Sequence, residues 1–152
     1  MKIVLASYFA EETHGPGRKI GITHDKPPAL DDLDYDCEFR YEALAPDRGD
    51  MIGYYVDRNK LKKEAGGWNF DEDQKERFKK IGKKFSDAYE EKLKKFVDHV
   101  IAESEETGRT PQDIVGLEEG DTLLSLEKGG NTSYRSLTAE YLRKLGYDVN
   151  ER

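Results

Sequence analysis

The sequence predicts an α/β fold, a small single domain over residues 1–152 whose largely parallel sheet is flanked by helices, one of them long. Three features predict it. A short β-branched apolar run lies near the start, a strand–turn–helix–strand unit lies near the end, and one apolar stripe at helical spacing fills the middle.

Residues 2–8, KIVLASY, are apolar without polar alternation, as in a strand buried on both faces. A loop with Thr13, His14, Gly15, Pro16 and Gly17 leads to a second strand in 18–24, RKIGITH. Adjacent Pro27 and Pro28 and the aspartates of 25–36 read as a long surface loop. Phe39, Tyr41, Leu44 and Ala45 precede Pro46. Residues 47–63 are mildly amphipathic through Met51, Ile52, Tyr54, Tyr55, Val56 and Leu61, and read as a short helix ended by Gly66 and Gly67.

From 71 to about 105, Phe78, Ile81, Phe85, Tyr89, Leu93, Phe96, Val100 and Ile101 recur at three- and four-residue steps, which draws one face of a single helix. Asp71, Glu72 and Asp73 suit its first turn, and Gly108 its stop. The other face carries Glu76–Lys80, Glu90–Lys94 and Glu91–Lys95, each worth about 0.2–0.5 kcal/mol. The stripe drifts off a strict heptad, which favours packing on a sheet over a coiled coil. At about 1.5 Å per residue the helix spans roughly 50 Å, so one end should project or meet another subunit. Gly82 is its weak point.

Thr110-Pro111 has the cap-then-proline order of a short helix over 111–117. Residues 121–127, DTLLSLE, read as a buried strand and 128–132, KGGNT, as a Gly-rich turn. A helix over 133–145 turns Leu137, Tyr141, Leu142 and Leu145 inward, Gly146 closes it, and 147–149 resumes as a strand. Such a unit has parallel strands and a right-handed connection.

Composition narrows the function. Charged residues make up 38% and hydrophobic ones 36%, so the core leans on 9 Tyr, 6 Phe and 1 Trp. No apolar run is long enough for a membrane span and no secretory signal is visible, so a cytoplasmic protein without a membrane partner is expected. A net charge of −7 argues against a generic nucleic-acid binder but leaves room for a local basic patch. His14, His24 and His99 lack ligand spacing and Cys37 is alone, so neither a metal nor another cofactor is expected. The chain has no Walker A loop, no GxGxxG and no GxSxG elbow.

In a parallel sheet, ligands collect at the carboxyl ends of strands beside helix amino termini. One such place follows the first strand, at Ser7, Tyr8 and Phe9. The other is the loop of Lys128, Gly129, Gly130, Asn131 and Thr132, which enters the helix at Ser133. There Tyr134 offers a stacking face and Arg135, off the inward row, a fork for phosphate or carboxylate. Arg18, in the basic loop 14–19, is a further candidate contact. The plainer alternative gives the glycines to the turn, Ser133 to an N-cap and Arg135 to a neighbouring carboxylate. If a reaction occurs, Glu127 or Glu140 is the candidate acid/base.

Residues 123–149, LLSLEKGGNTSYRSLTAEYLRKLGYDV, resemble the C-terminal signature of the family called domain of unknown function 488. There a strand ending L-C-Y-E-K precedes a short loop, then C-H-R and a helix reading L-A-E-x-L. KIVLASYFA, GRKIGITHDKPP and YEALAP (41–46) are similar to its start and middle. The resemblance implies one α/β domain from bacteria, archaea or their viruses, with no established activity. Glu127, Lys128, Arg135, Ala139 and Glu140 stand at matching positions. Ser125 and Ser133-Tyr134 stand where the family has Cys and Cys-His, so thiolate and imidazole chemistry do not carry over.

The expected function is therefore a binding module for a small anionic, nucleotide-like molecule, sensing or sequestering it, viral anti-defence included. The substitutions weigh against an enzyme. Two alternatives stay open. One is a small enzyme acting on a nucleoside, nucleotide or nicotinamide-type substrate. The other is an interaction module that forms a homo-oligomer through the long helix.

Overall fold

Five short strands, β1 (Lys2–Ser7), β2 (Lys19–Gly21), β3 (Phe39–Arg40), β4 (Thr122–Ser125) and β5 (Asp148–Glu151), form one sheet in the order β3-β2-β4-β1-β5. Every pairing is parallel. The structure, a computed structural model, describes residues 1–8, 11–23, 39–125 and 133–152. The surface loop expected over 25–36 lies outside the described residues. Helices α1 (Arg48–Ala65), α2 (Glu72–Thr107) and α3 (Pro111–Val115) connect β3 to β4, and α4 (Ser133–Lys144) lies between β4 and β5. Among the described residues no helix is long and apolar enough to cross a membrane.

The apolar run of β1 is explained by burial on both sides. Ile3 and Leu5, with Ile20, Ile22, Leu123 and Val149, face the helices and share one core with Tyr89, Leu93, Val97, Val100, Leu142 and Leu145. The connections β3→β4 and β4→β5 step in the same direction along the sheet, so right-handed crossovers place their helices on one face. The rings of Tyr89 on α2 and Tyr134 on α4 accordingly meet edge-on, 4.7 Å between centroids. The connection β1→β2 steps the other way and passes over the opposite face, where Gly15 N donates to Thr122 Oγ1 at 2.9 Å. A Cβ on Gly17 would lie 2.4 Å from Gly120 O, so only glycine lets the two backbones pass.

Helix α2 starts at a capping box, with Gln74 N donating to Asp71 Oδ1 at 2.8 Å and Asp71 N donating to Gln74 Oε1 at 3.1 Å. It runs unbroken through Gly82 to the left-handed Gly108. Its fully buried row is Tyr89, Leu93, Val97 and Val100. Val97 thus replaces Ile101, which is exposed. This row begins only at Tyr89, midway along α2. The amino-terminal half pairs with α1, through Tyr54 against Phe85 (5.1 Å) and a two-bond Arg77–Glu64 contact at 3.0 and 2.9 Å. The projecting end expected of the helix is therefore covered, along one side, by α1 of the same chain. Of the surface pairs expected, Glu90–Lys94 lies at 4.0 Å, whereas Glu76 pairs with Lys79 at 3.7 Å.

Helix α3 is shorter than the sequence suggests, because the left-handed Gly116 stops it. Two phenols hold it, Tyr41 donating to Val115 O at 2.8 Å and Tyr147 to Gln112 O at 3.4 Å. Burial raises both phenols above the ordinary tyrosine range, Tyr147 to about 12. An unfolded tyrosine ionises near 10, so between about pH 10 and 12 the unfolded chain binds fewer protons than the fold. Stability is present in full below pH 10 and declines above it, by about 2–3 kcal/mol for Tyr147. Urea unfolding at rising pH should show this decline, and Tyr147→Phe should make it shallower. An unchanged slope in the variant would remove Tyr147 from the account.

Candidate functional site

Strands β1 and β4 end side by side. Ser7 is in register with Ser125, and Tyr8 N extends the ladder by donating to Ser125 O at 2.9 Å. From this point the chain leaves β1 toward β2 and leaves β4 toward β5, in opposite directions along the sheet. Each connection crosses the other's strand, one on either face of the sheet, and strand ends whose connections part to opposite faces are the usual ligand position in open α/β sheets. The end of β1 and the described end of β4 thus adjoin. Ser7, Tyr8 and Ser125 are buried and form its floor.

Three further residues sit beside this floor: His14, from the basic loop 14–19 that the sequence put forward, and Thr13 and Arg152, which it did not select. The His14 ring lies 2.8 Å from Ser7 O through Nε2. A carbonyl only accepts, so Nε2 is the donor in this contact. Arg152 N donates to Leu5 O at 2.8 Å, and its guanidinium donates to Thr13 O at 3.0 Å. The glycines flanking Pro16 were the one sequence signal for His14, since they allow the connection to lie close on the sheet. Thr13 and Arg152 had none.

Several expected contacts are corrected. Tyr134 is no stacking face: it is 2% exposed, its ring packs on Tyr89 and its hydroxyl donates to the Ile22 carbonyl. A large side chain is needed there to fill the space between α2 and β2. Arg135 is also 2% exposed, and its Nη1 donates to the Arg152 main-chain oxygen at 2.9 Å. It has a packing reason for its position after all, tying α4 to the end of β5. Arg18 lies at the amino end of β2, the opposite edge of the sheet, where it grips Asp121 at 3.0 and 2.6 Å. Glu140 is exposed partway along α4, well beyond its first turn. Phe9, Glu127, Lys128, Gly129, Gly130, Asn131 and Thr132 lie outside the described residues, and of Ser133 only the backbone at the start of α4 is described.

Arg135→Ala is accordingly expected to lower the melting temperature, because it removes a buried charge-assisted bond worth about 1.5–3 kcal/mol. Arg135→Lys should restore only part, since an ammonium lacks the planar fork. A melt of Arg135→Ala unchanged from the parent would show that the bond to Arg152 carries no stability.

Among the described residues no group of three His, Cys, Asp or Glu converges as metal ligands would. No family model matches the chain, no curated protein matches it, and no solved structure matches it.

Proposed function

We propose that this protein binds a small anionic, nucleotide-like molecule in the crevice between the ends of β1 and β4, to sense or sequester it. The observation that carries the reading is the departure of the two connections to opposite faces of the sheet after Ser7 and Ser125. Helix α4 is the next described element after β4, and the amino end of a helix carries a partial positive charge. The reading keeps the chain as a divergent relative of the domain of unknown function 488 family, with Ser125 in β4 where that family carries Cys.

The test is mass spectrometry of small molecules released from the purified protein, followed by calorimetric titration with the molecule found and with a nucleotide panel. Recovery of an intact anionic ligand supports a binding module. No heat and no thermal shift with any anion would overturn it. One observation favours a second reading, an enzyme on a nucleoside or nucleotide: the His14 ring lies against the end of β1, beside Ser7 O. Under that reading the panel yields altered product, and His14→Ala abolishes it.

A further inference from the structure

The net charge of −7 is unevenly distributed. Residues 48–84, which hold α1 and the amino-terminal part of α2, carry eleven Lys and Arg against seven Asp and Glu, a net of +4. The remainder carries −11. On α2 several of these cations are neutralised by carboxylates, Lys75 by Glu72, Arg77 by Glu64, Lys79 by Glu76 and Lys83 by Asp87. In the last two turns of α1, among the described residues, Arg58, Lys60, Lys62 and Lys63 have no ion-pair partner. Two of them lie instead against aromatic rings. The Arg58 guanidinium carbon sits 4.7 Å from the Tyr55 ring centroid and 5.3 Å from that of Trp68, and Lys62 Nζ sits 4.9 Å from Trp68.

Arg58 and Lys62 are one helical turn apart, so both meet the indole from the α1 side. Phe70 and Phe78 meet it roughly edge-on, at 6.0 and 6.3 Å. Trp68 nevertheless remains 51% exposed. A large ring held by cations and two phenyl rings, yet half open to water, is a preformed stacking surface. Arg58 Nε is buried with no hydrogen-bond partner among the described residues, so the rings hold this guanidinium in place without a carboxylate to neutralise it. Beside the ring, Asn59, Lys62, Lys63, Gly66 and Gly67 line a shallow concavity where α1 ends.

From this arrangement we infer that the tip of the α1–α2 arm binds single-stranded nucleic acid, one base stacking on Trp68 and the flanking phosphates meeting Lys60, Lys62 and Lys63. Stacking tolerates any base, and unpaired lysines beside an aromatic platform are the means by which proteins hold single strands without reading sequence. A duplex hides its base faces and cannot use the platform. An anionic membrane would satisfy the lysines but not the stacking. The site is separate from the crevice at Ser7 and stands whether or not that crevice binds a nucleotide.

The test titrates the full chain with a short fluorescein-labelled oligothymidylate, reading anisotropy and the emission of Trp68, the chain's one tryptophan. Expected are saturable binding, quenching of Trp68, and a slope of log K against log salt of about −2 for three lysines. Trp68→Leu should weaken binding about tenfold. Lys62→Ala with Lys63→Ala, which changes solvent-facing side chains of a long helix, should weaken it at least about threefold and lower the salt slope. Circular dichroism checks that each variant keeps its helices, and the lysine variant keeps the test decisive should Trp68→Leu loosen the arm. Binding without quenching, equal affinity for a duplex of the same length, affinity unchanged in the lysine variant, or preferential binding to anionic lipid vesicles would each overturn the proposal.

Discussion

Asp121→Ala is expected to lower the unfolding free energy by about 3–5 kcal/mol, the cost of removing one partner from a buried ion pair. The Asp121 side chain is 1% exposed and sits just before β4. It accepts from Arg18 Nε at 3.0 Å, Arg18 Nη2 at 2.6 Å and Glu118 N at 2.7 Å. Arg18 also donates to Gly116 O at 3.2 Å. Without the carboxylate, a mostly buried guanidinium loses its counter-charge and the Glu118 amide loses its acceptor. The same corner holds the passage of Gly17 over Gly120, so the register of β2 on β4 should suffer as well. Glu118→Ala is the control. Glu118 is 69% exposed and only 3.5 Å from Arg18, an exposed partner worth at most about 1 kcal/mol. Urea unfolding of both variants measures the difference, and equal losses would refute the assignment.

Tyr89→Ala should cost about 3–5 kcal/mol, the range for truncating a buried aromatic ring. Tyr89 lies where three elements meet. Its hydroxyl donates to Leu44 O at 2.6 Å and lies 2.8 Å from Thr138 Oγ1, while its ring meets Tyr134. Thr138 has one hydroxyl proton for two acceptors, Tyr89 Oη and Tyr134 O at 2.8 Å, so the cluster is a chain rather than a set of separate bonds. Tyr89→Phe isolates the hydroxyl and should cost about 1–3 kcal/mol, since it leaves the Leu44 carbonyl without this donor. Thermal and denaturant melts of the two variants should therefore rank in that order. A loss in Tyr89→Phe as large as in Tyr89→Ala would mean that the ring contributes little and the hydroxyl nearly everything.

The elements were legible where periodicity is strong and termini are chemically marked. The strand at Ile3 to Ser7 and the cap at Asp71 could be read because local chemistry determines each. So could the stop at Gly108 and the unit that runs from Thr122 to Val149. The long helix ran past Gly82 as expected, because a residue-level penalty of about 1 kcal/mol is small against a buried row such as Tyr89, Leu93, Val97 and Val100. The role of α1 was harder to read. Its mild amphipathicity fits a helix with one residue, Leu61, fully buried and the rest of its contacts made along a narrow face of α2.

At the site, residue types were read from the sequence but their neighbours were not. Helical spacing set the direction of Arg135 off the row of Leu137 and Tyr141, and said nothing of what lies in that direction. The structure puts the Arg152 main-chain oxygen there, seventeen residues further along the chain. Arg18 looked like a basic loop residue until the sheet order brought Asp121 against it, across 103 positions of sequence. The charge of −7 concealed a positive arm for the same reason, since a sum over the chain carries no information on distribution. By itself the sequence determined the fold class and the long helix. Only the tertiary structure decided that the ends of β1 and β4 adjoin, with their connections passing to opposite faces, and that Tyr134, Arg135 and Arg18 bond within the fold. Local propensity acts over a few residues, whereas strand order and buried partners depend on contacts between segments that the chain keeps far apart.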